Sequence, residues 1–116
     1  MDFALTPEQD DVREAIRKLC ERFTDDFWLE RDRDGVFPHA FFEAVAQGGW
    51  LGIAMPTEHG GAGLGITAAA VMMQTIAESG ACMSGCSAVH LPVFGLQPAV
   101  LFGTDAQKAR MLPPVI

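Results

Sequence analysis

The stretch MPTEHGGAGLGITAAA, residues 55–70, decides the fold, because it admits two incompatible readings. Gly60, Gly61, Gly63 and Gly65 precede a run of small apolar residues, and Gly63-Leu64-Gly65-Ile66-Thr67-Ala68 fits the G-x-G-x-x-G/A spacing of a dinucleotide-binding turn. In that turn, backbone amides at a helix start cradle a pyrophosphate; a buried strand must come directly before it, and an acid about 20 residues later for the ribose. Neither condition holds. The only strand-like run upstream, 50–55, is interrupted by Gly52, closed by Pro56 and separated from the glycines by Thr57-Glu58-His59. Near the ribose position stand Cys82, Ser84 and Cys86, and no acid follows Glu78 until Asp105. The stretch therefore reads as a loop between helices, and the fold as all-α.

The 116 residues make one domain, 1–116, with room for a real core. A formal charge of −7 with only eight Lys and Arg argues against a nucleic-acid partner, which needs clustered cations. Three cysteines, Cys20, Cys82 and Cys86, form no disulfide framework, and the start Met1-Asp2-Phe3 has no basic segment followed by an apolar one. A reducing cytoplasm is the expected compartment. A bilayer span needs roughly 20 uninterrupted apolar residues. Pro92, Gly95 and Pro98 interrupt the most apolar third, so no membrane span is expected.

Charge is unevenly spread. Between Arg33 and Lys108 there is no Lys or Arg, and the acids there are Asp34, Glu43, Glu58, Glu78 and Asp105. A small domain normally surrounds its core with charge. These segments expect to be covered by something else.

Along the chain, Thr6-Pro7-Glu8-Gln9 has the marks of a capping box with Pro at the first helical position. Val12, Ile16, Leu19, Phe23 and Phe27 then recur every three or four residues, predicting one amphipathic helix over about 7–29 with a charged outer face. A second helix is predicted from Pro38 through Gln47, stopped by Gly48-Gly49, followed by an irregular segment over 50–65. Thr67 can cap a third, ending near Gly80, whose run Ala68-Ala69-Ala70-Val71-Met72-Met73 has hardly any polar face and so reads as buried on all sides. Residues 81–102 read as two helical pieces with a kink or loop near 92–98. Thr104-Asp105-Ala106-Gln107 is a second capping box, opening a short helix that Pro113-Pro114 terminates.

Few residues offer chemistry. Cys82, Cys86 and His90 share a helical face, but a metal site needs a further ligand or a built open position, so core packing is the expected role of the thiols and no metal is expected. His90 is expected to be a satisfied structural histidine, lacking an evident partner for general-base work. Glu58-His59 is expected to anchor its loop through side-chain hydrogen bonds. Met72, Met73 and Met83 suit either core filling or an adaptable contact surface. No nucleophile, base and orienting group can be assembled, so no catalytic residue is assigned.

The order of these pieces resembles the N-terminal helical domain of flavin-dependent acyl-CoA dehydrogenases. The resemblance is carried by LTPEQDDVREAIRKL at the start, GGWLGIAMPTEHGGAGLG in the middle and FGTDAQKARMLPPV at the end, together covering nearly the whole chain. It implies an all-α domain that stops where a β middle domain would begin, with a C-terminal helical domain beyond. It implies FAD, bound mainly between those later parts, and a catalytic glutamate from the last domain that takes the α-hydrogen as a proton while the β-hydrogen leaves as hydride to the flavin. It further implies an acyl-CoA substrate, an electron-transfer flavoprotein as electron acceptor, and a homo-oligomer when complete. By position, Gly85, Ala88, Val89 and Pro92 should face the acyl chain, and the small Gly85 and Ala88 suggest a deep pocket for long or bulky acyl groups. Gln74-Thr75, where many members carry acids, departs from the family pattern. Two alternatives share the sequence: an acyl-CoA oxidase-like flavoenzyme, and a non-catalytic helical module that uses its apolar surface to bind a partner.

Overall fold

The structure, a computed structural model, describes residues 3–116; Met1-Asp2, part of the start read above for a targeting segment, lies outside the described residues. Among the described residues every regular element is helical. They are α1 (Pro7–Cys20), α2 (Asp25–Asp34), α3 (His39–Gln47), α4 (Gly65–Glu78), α5 (Cys82–Phe94), α6 (Gln97–Phe102) and α7 (Asp105–Met111), with single 3-10 turns at Trp50–Gly52 and Thr57–His59.

The predicted first helix is two helices. Helix α1 opens on the expected capping box, Thr6 accepting from the Gln9 amide while the Gln9 side chain accepts from the Thr6 amide. It ends at Cys20, and α2 starts afresh after Thr24, because Thr24-Asp25-Asp26 supplies extended backbone and two acids suited to a helix N-terminus. The break does not scatter the apolar stripe. Phe23 in the turn and Trp28 on α2 still converge on Phe41 of α3, with ring centroids 5.4 and 5.0 Å away. Helix α2 then ends on Gly35, whose φ of +67° lies in the left-handed region that a side chain disfavours.

Helix α4 is the centre of the molecule, packed against α1 on one side and α5 on the other, while α5 also reaches α3 and the turn at Trp50–Gly52. Ile16, Phe41, Val45, Ile53, Ala69, Met72, Ile76 and Val89 are fully buried between these elements. Burial of α4 is less complete than its composition suggests, for Gln74, Ala77 and Glu78 remain exposed. It also begins at Gly65 rather than at Thr67, which makes no cap bond. Pro92 does not end α5. The helix runs on to Phe94, and with the turn at 95–96 and α6 it makes the stretch Cys82–Phe102, 21 residues of mean hydropathy 1.3, long and apolar enough to cross a membrane by length and composition. The break expected near 92–98 is this turn between α5 and α6, while Pro92 itself lies inside α5. Helix α7 opens on the second expected capping box, at Thr104 and Gln107.

Candidate functional site

The glycine loop settles the first question by where its hydrogen bonds go. The Gly61 amide donates to the Pro56 carbonyl, Ala62 to Gly52, Gly63 to Met55 and Leu64 to Ile53, all at 2.9–3.0 Å. Amides spent on carbonyls cannot cradle a phosphate. Glycine is needed at 61 because a Cβ there would collide with the Met55 carbonyl, and at 60 because φ is +97°. With these four amides committed to carbonyls and a 3-10 turn rather than a strand before it, the loop lacks the setting of a dinucleotide-binding turn. Among the described residues no side-chain hydrogen bond anchors it: His59 Nε2 stands 3.8 Å from Glu58 Oε1, and the backbone bonds hold the loop.

The residues expected along α5 divide between two faces. Gly85 and Val89 are buried inside the domain, Ala88 is 7% exposed and Pro92 is half-buried. A Cβ on Gly85 would come within 2.5 Å of the Ala81 Cβ and 3.0 Å of Ile76 Cγ2, with the Trp28 ring at 3.5 Å. The small side chain at 85 therefore serves helix packing against α4 and α2, which removes it as a sign of a deep pocket. The cysteine face also divides. Cys86 is buried with its Sγ 3.4 Å from the Met73 carbonyl, whereas Cys82 is exposed, at a φ of +43° at the start of α5. His90 is exposed too, its ring beside that of Phe94 with centroids 5.5 Å apart, and among the described residues it makes no hydrogen bond that would satisfy it as the structural histidine expected. Met72 is core, Met73 half-buried and Met83 72% exposed. Among the described residues no three His, Cys, Asp or Glu side chains converge as metal ligands would.

Between α4 and α5 lies a groove of about 550 Å³, which sequence reasoning missed. Met73 and Ala77 wall it on α4, Met83 and Cys86 on α5, and Gln74, Ser87 and His90 add polar groups. The signal was present as a helix with two apolar faces, only one of which packs inward. The Gln74 amide nitrogen donates to Glu78 at 2.8 Å. The Gln74 carbonyl oxygen, the Ser87 hydroxyl and the His90 ring nitrogens have no hydrogen-bond partner among the described residues.

A larger concavity, about 810 Å³, lies between α1 and α4 and is acid-rich, with Asp10, Asp11, Glu14, Glu21, Asp25 and Glu78 facing Arg13 and Arg17. Arg17 pairs with Glu14 at 2.8 Å and Glu21 at 2.6 Å, and Arg13 with Asp10. The Arg17 guanidinium holds the Glu14 carboxyl below the usual range. At its floor burial pushes the Cys20 thiol up, and burial, then Cys20 and Cys82 nearby, do the same to Cys86. Raised thiols in an apolar setting are inert rather than nucleophilic. The described residues thus offer an apolar groove with a few open polar groups.

The family profile described as acyl-CoA dehydrogenase, N-terminal domain, matches residues 6–116. An acryloyl-CoA reductase (NADH) of Anaerotignum propionicum is 32% identical over 113 residues, covering 97% of this chain and 28% of that protein. A 3-(aryl)acrylate reductase of Clostridium sporogenes is 32% identical over 115 residues, 96% of this chain and 29% of the relative. A probable acyl-CoA dehydrogenase of Bacillus subtilis is 32% identical over 116 residues, 99% of this chain and 30% of the relative. A solved structure from work on the electron transferring flavoprotein of Acidaminococcus fermentans and flavin-based electron bifurcation superposes with a TM-score of 0.86 at 25% identity, over 99% of this chain and 30% of that one. The chain spans about three tenths of the length of these curated relatives. Fold, segment order and sequence agree, and the chain belongs to the acyl-CoA dehydrogenase family as its N-terminal helical domain.

Proposed function

We propose that this domain is part of an FAD-dependent enzyme that oxidises the α,β carbon–carbon bond of an acyl-CoA thioester. Its own contribution is a wall for the acyl chain and a packing face for the remaining domains. The observation that carries the reading is the uncovered groove between α4 and α5, apolar along Met73, Ala77 and Met83, in a chain of this family. An apolar trough with a few placed polar groups suits a flexible alkyl ligand. Gly85, Ala88, Val89 and Pro92 lie outside the groove lining, Ala88 turning toward residues 35–38 instead, so the acyl-facing side of α5 is the one carrying Met83, Cys86, Ser87 and His90. These residues exclude water from the chain and orient it. The flavin and the base that removes the α-proton are assigned to parts of the enzyme beyond these residues, in keeping with a glycine loop that lacks the setting of a dinucleotide-binding turn. Electron-transfer flavoprotein is the proposed acceptor, in keeping with the structural likeness.

The names of two relatives, both reductases, favour a second reading in which the same site runs in the direction of α,β-double-bond reduction. One experiment addresses both. The purified protein carrying this domain is titrated anaerobically with saturated acyl-CoA while its visible spectrum is followed. Bleaching of a flavin band supports dehydrogenation. Bleaching absent with acyl-CoA, together with reoxidation of the chemically reduced flavin by an enoyl-CoA, supports reduction. Inertness to both contradicts the proposal.

A further inference from the structure

Resting on the acyl-groove reading, we infer that Gln74, Ser87 and His90 make this groove selective for an acyl chain that carries a neutral hydroxyl away from the thioester. Ser87 and His90 lie three residues apart on α5, and Gln74 faces them from α4, so the three form one polar rung across an otherwise apolar trough. None of the Gln74 carbonyl oxygen, the Ser87 hydroxyl or the His90 ring nitrogens is committed to another protein group among the described residues. A plain alkyl chain laid in the groove takes water from all three and returns nothing, and a polar group left unpaired on burial costs more than a made hydrogen bond gains. A ligand hydroxyl both donates and accepts. The rung offers both in return: an acceptor in the Gln74 carbonyl, a donor and an acceptor in the Ser87 hydroxyl, and the ring nitrogens of His90.

The local charge excludes a carboxylate in the same place. Neither α4 nor α5 carries a Lys or Arg, because none occurs between Arg33 and Lys108. The carboxylate at hand, Glu78, is bonded to Gln74 at 2.8 Å and repels a second anion.

The test compares kcat/KM of the complete flavoenzyme for three acyl-CoA esters of equal chain length, ending in methyl, hydroxyl or carboxylate. The hydroxylated ester is expected to exceed the plain one by at least about tenfold, since a site built to bond a hydroxyl discriminates strongly against the analogue lacking it. His90→Phe and Ser87→Ala, both at exposed positions, lower that ratio at least about fivefold, mainly through KM, and His90→Gln restores part of it. A preference for the methyl or carboxylate ester, or a ratio that neither variant moves, overturns the inference while leaving acyl-CoA oxidation intact. Failure to oxidise any of the three overturns both the inference and the reading on which it rests.

Discussion

At Gly85 a single hydrogen atom in place of a side chain lets α5 approach α4 and Trp28 closely. Gly85→Val drives a side chain into Ala81 and Ile76 and is expected to destabilise the domain by about 1–3 kcal/mol, as overpacking does, measured by urea unfolding. The cysteines give a second prediction. Cys20 and Cys86 are buried with thiols pushed up by that burial, whereas Cys82 is exposed. Brief alkylation of the native protein should label Cys82 alone, and labelling in urea should reach all three; equal native labelling contradicts the packing described. Two carboxylates set a modest acid sensitivity. Glu14 is held down by the Arg17 guanidinium, and Asp34 by the Val36 amide first and Arg31 second. A carboxyl depressed in the folded state contributes stability above its unfolded pKa and loses it as pH falls through the folded value. Stability should therefore decline below about pH 4, less steeply in Asp34→Asn. At this scale the sequence was a poor guide to roles. Gly85 and Val89 carry no mark that separates a packing position from a pocket-lining one, because apolar and small side chains serve both. Which face of α5 turns inward is settled by α4 and Trp28, far away in sequence.

Elements were more legible than the roles of their residues. Both capping boxes, Thr6 with Gln9 and Thr104 with Gln107, were readable from four letters each, because the bonds they make are local. Their energetic consequences differ. Thr6→Ala at the head of α1, whose buried face carries Val12, Ile16 and Leu19, should cost about 1 kcal/mol of global stability. Thr104→Ala should fray α7, which has no buried residue of its own, raising its amide exchange while the urea midpoint hardly moves. Equal global effects from the two substitutions would contradict this division. The break between α1 and α2 was the element missed. The apolar spacing continues through it, so periodicity alone sees one helix, while the competing start signal at Thr24-Asp25-Asp26 prevails locally. The break read near 92–98 falls at 95–96, so Pro92 itself is carried inside α5, as happens when neighbouring contacts outweigh one lost backbone bond.

For the whole molecule, the scarcity of charge from 35 to 107 was the most informative feature of the sequence, since it predicted surfaces awaiting cover. Met83 and Leu91 at 72% exposure, Leu101 at 66% and Phe102 at 85% are those surfaces, and all four lie within the stretch Cys82–Phe102. The isolated 116 residues should accordingly bind an environment-sensitive apolar dye and self-associate as concentration rises. A dye-silent, monodisperse chain would favour the non-catalytic module instead. What no single domain displays is the chemistry, because the glycine loop spends its amides on its own carbonyls and the groove offers an apolar wall with a few open polar groups. The most direct measurement is therefore the intact mass and visible spectrum of the protein purified from its native source. A polypeptide several-fold heavier than 12.5 kDa with flavin absorbance is the predicted result. A colourless 12.5 kDa chain would contradict the account, leaving a family fold that works without the family's chemistry.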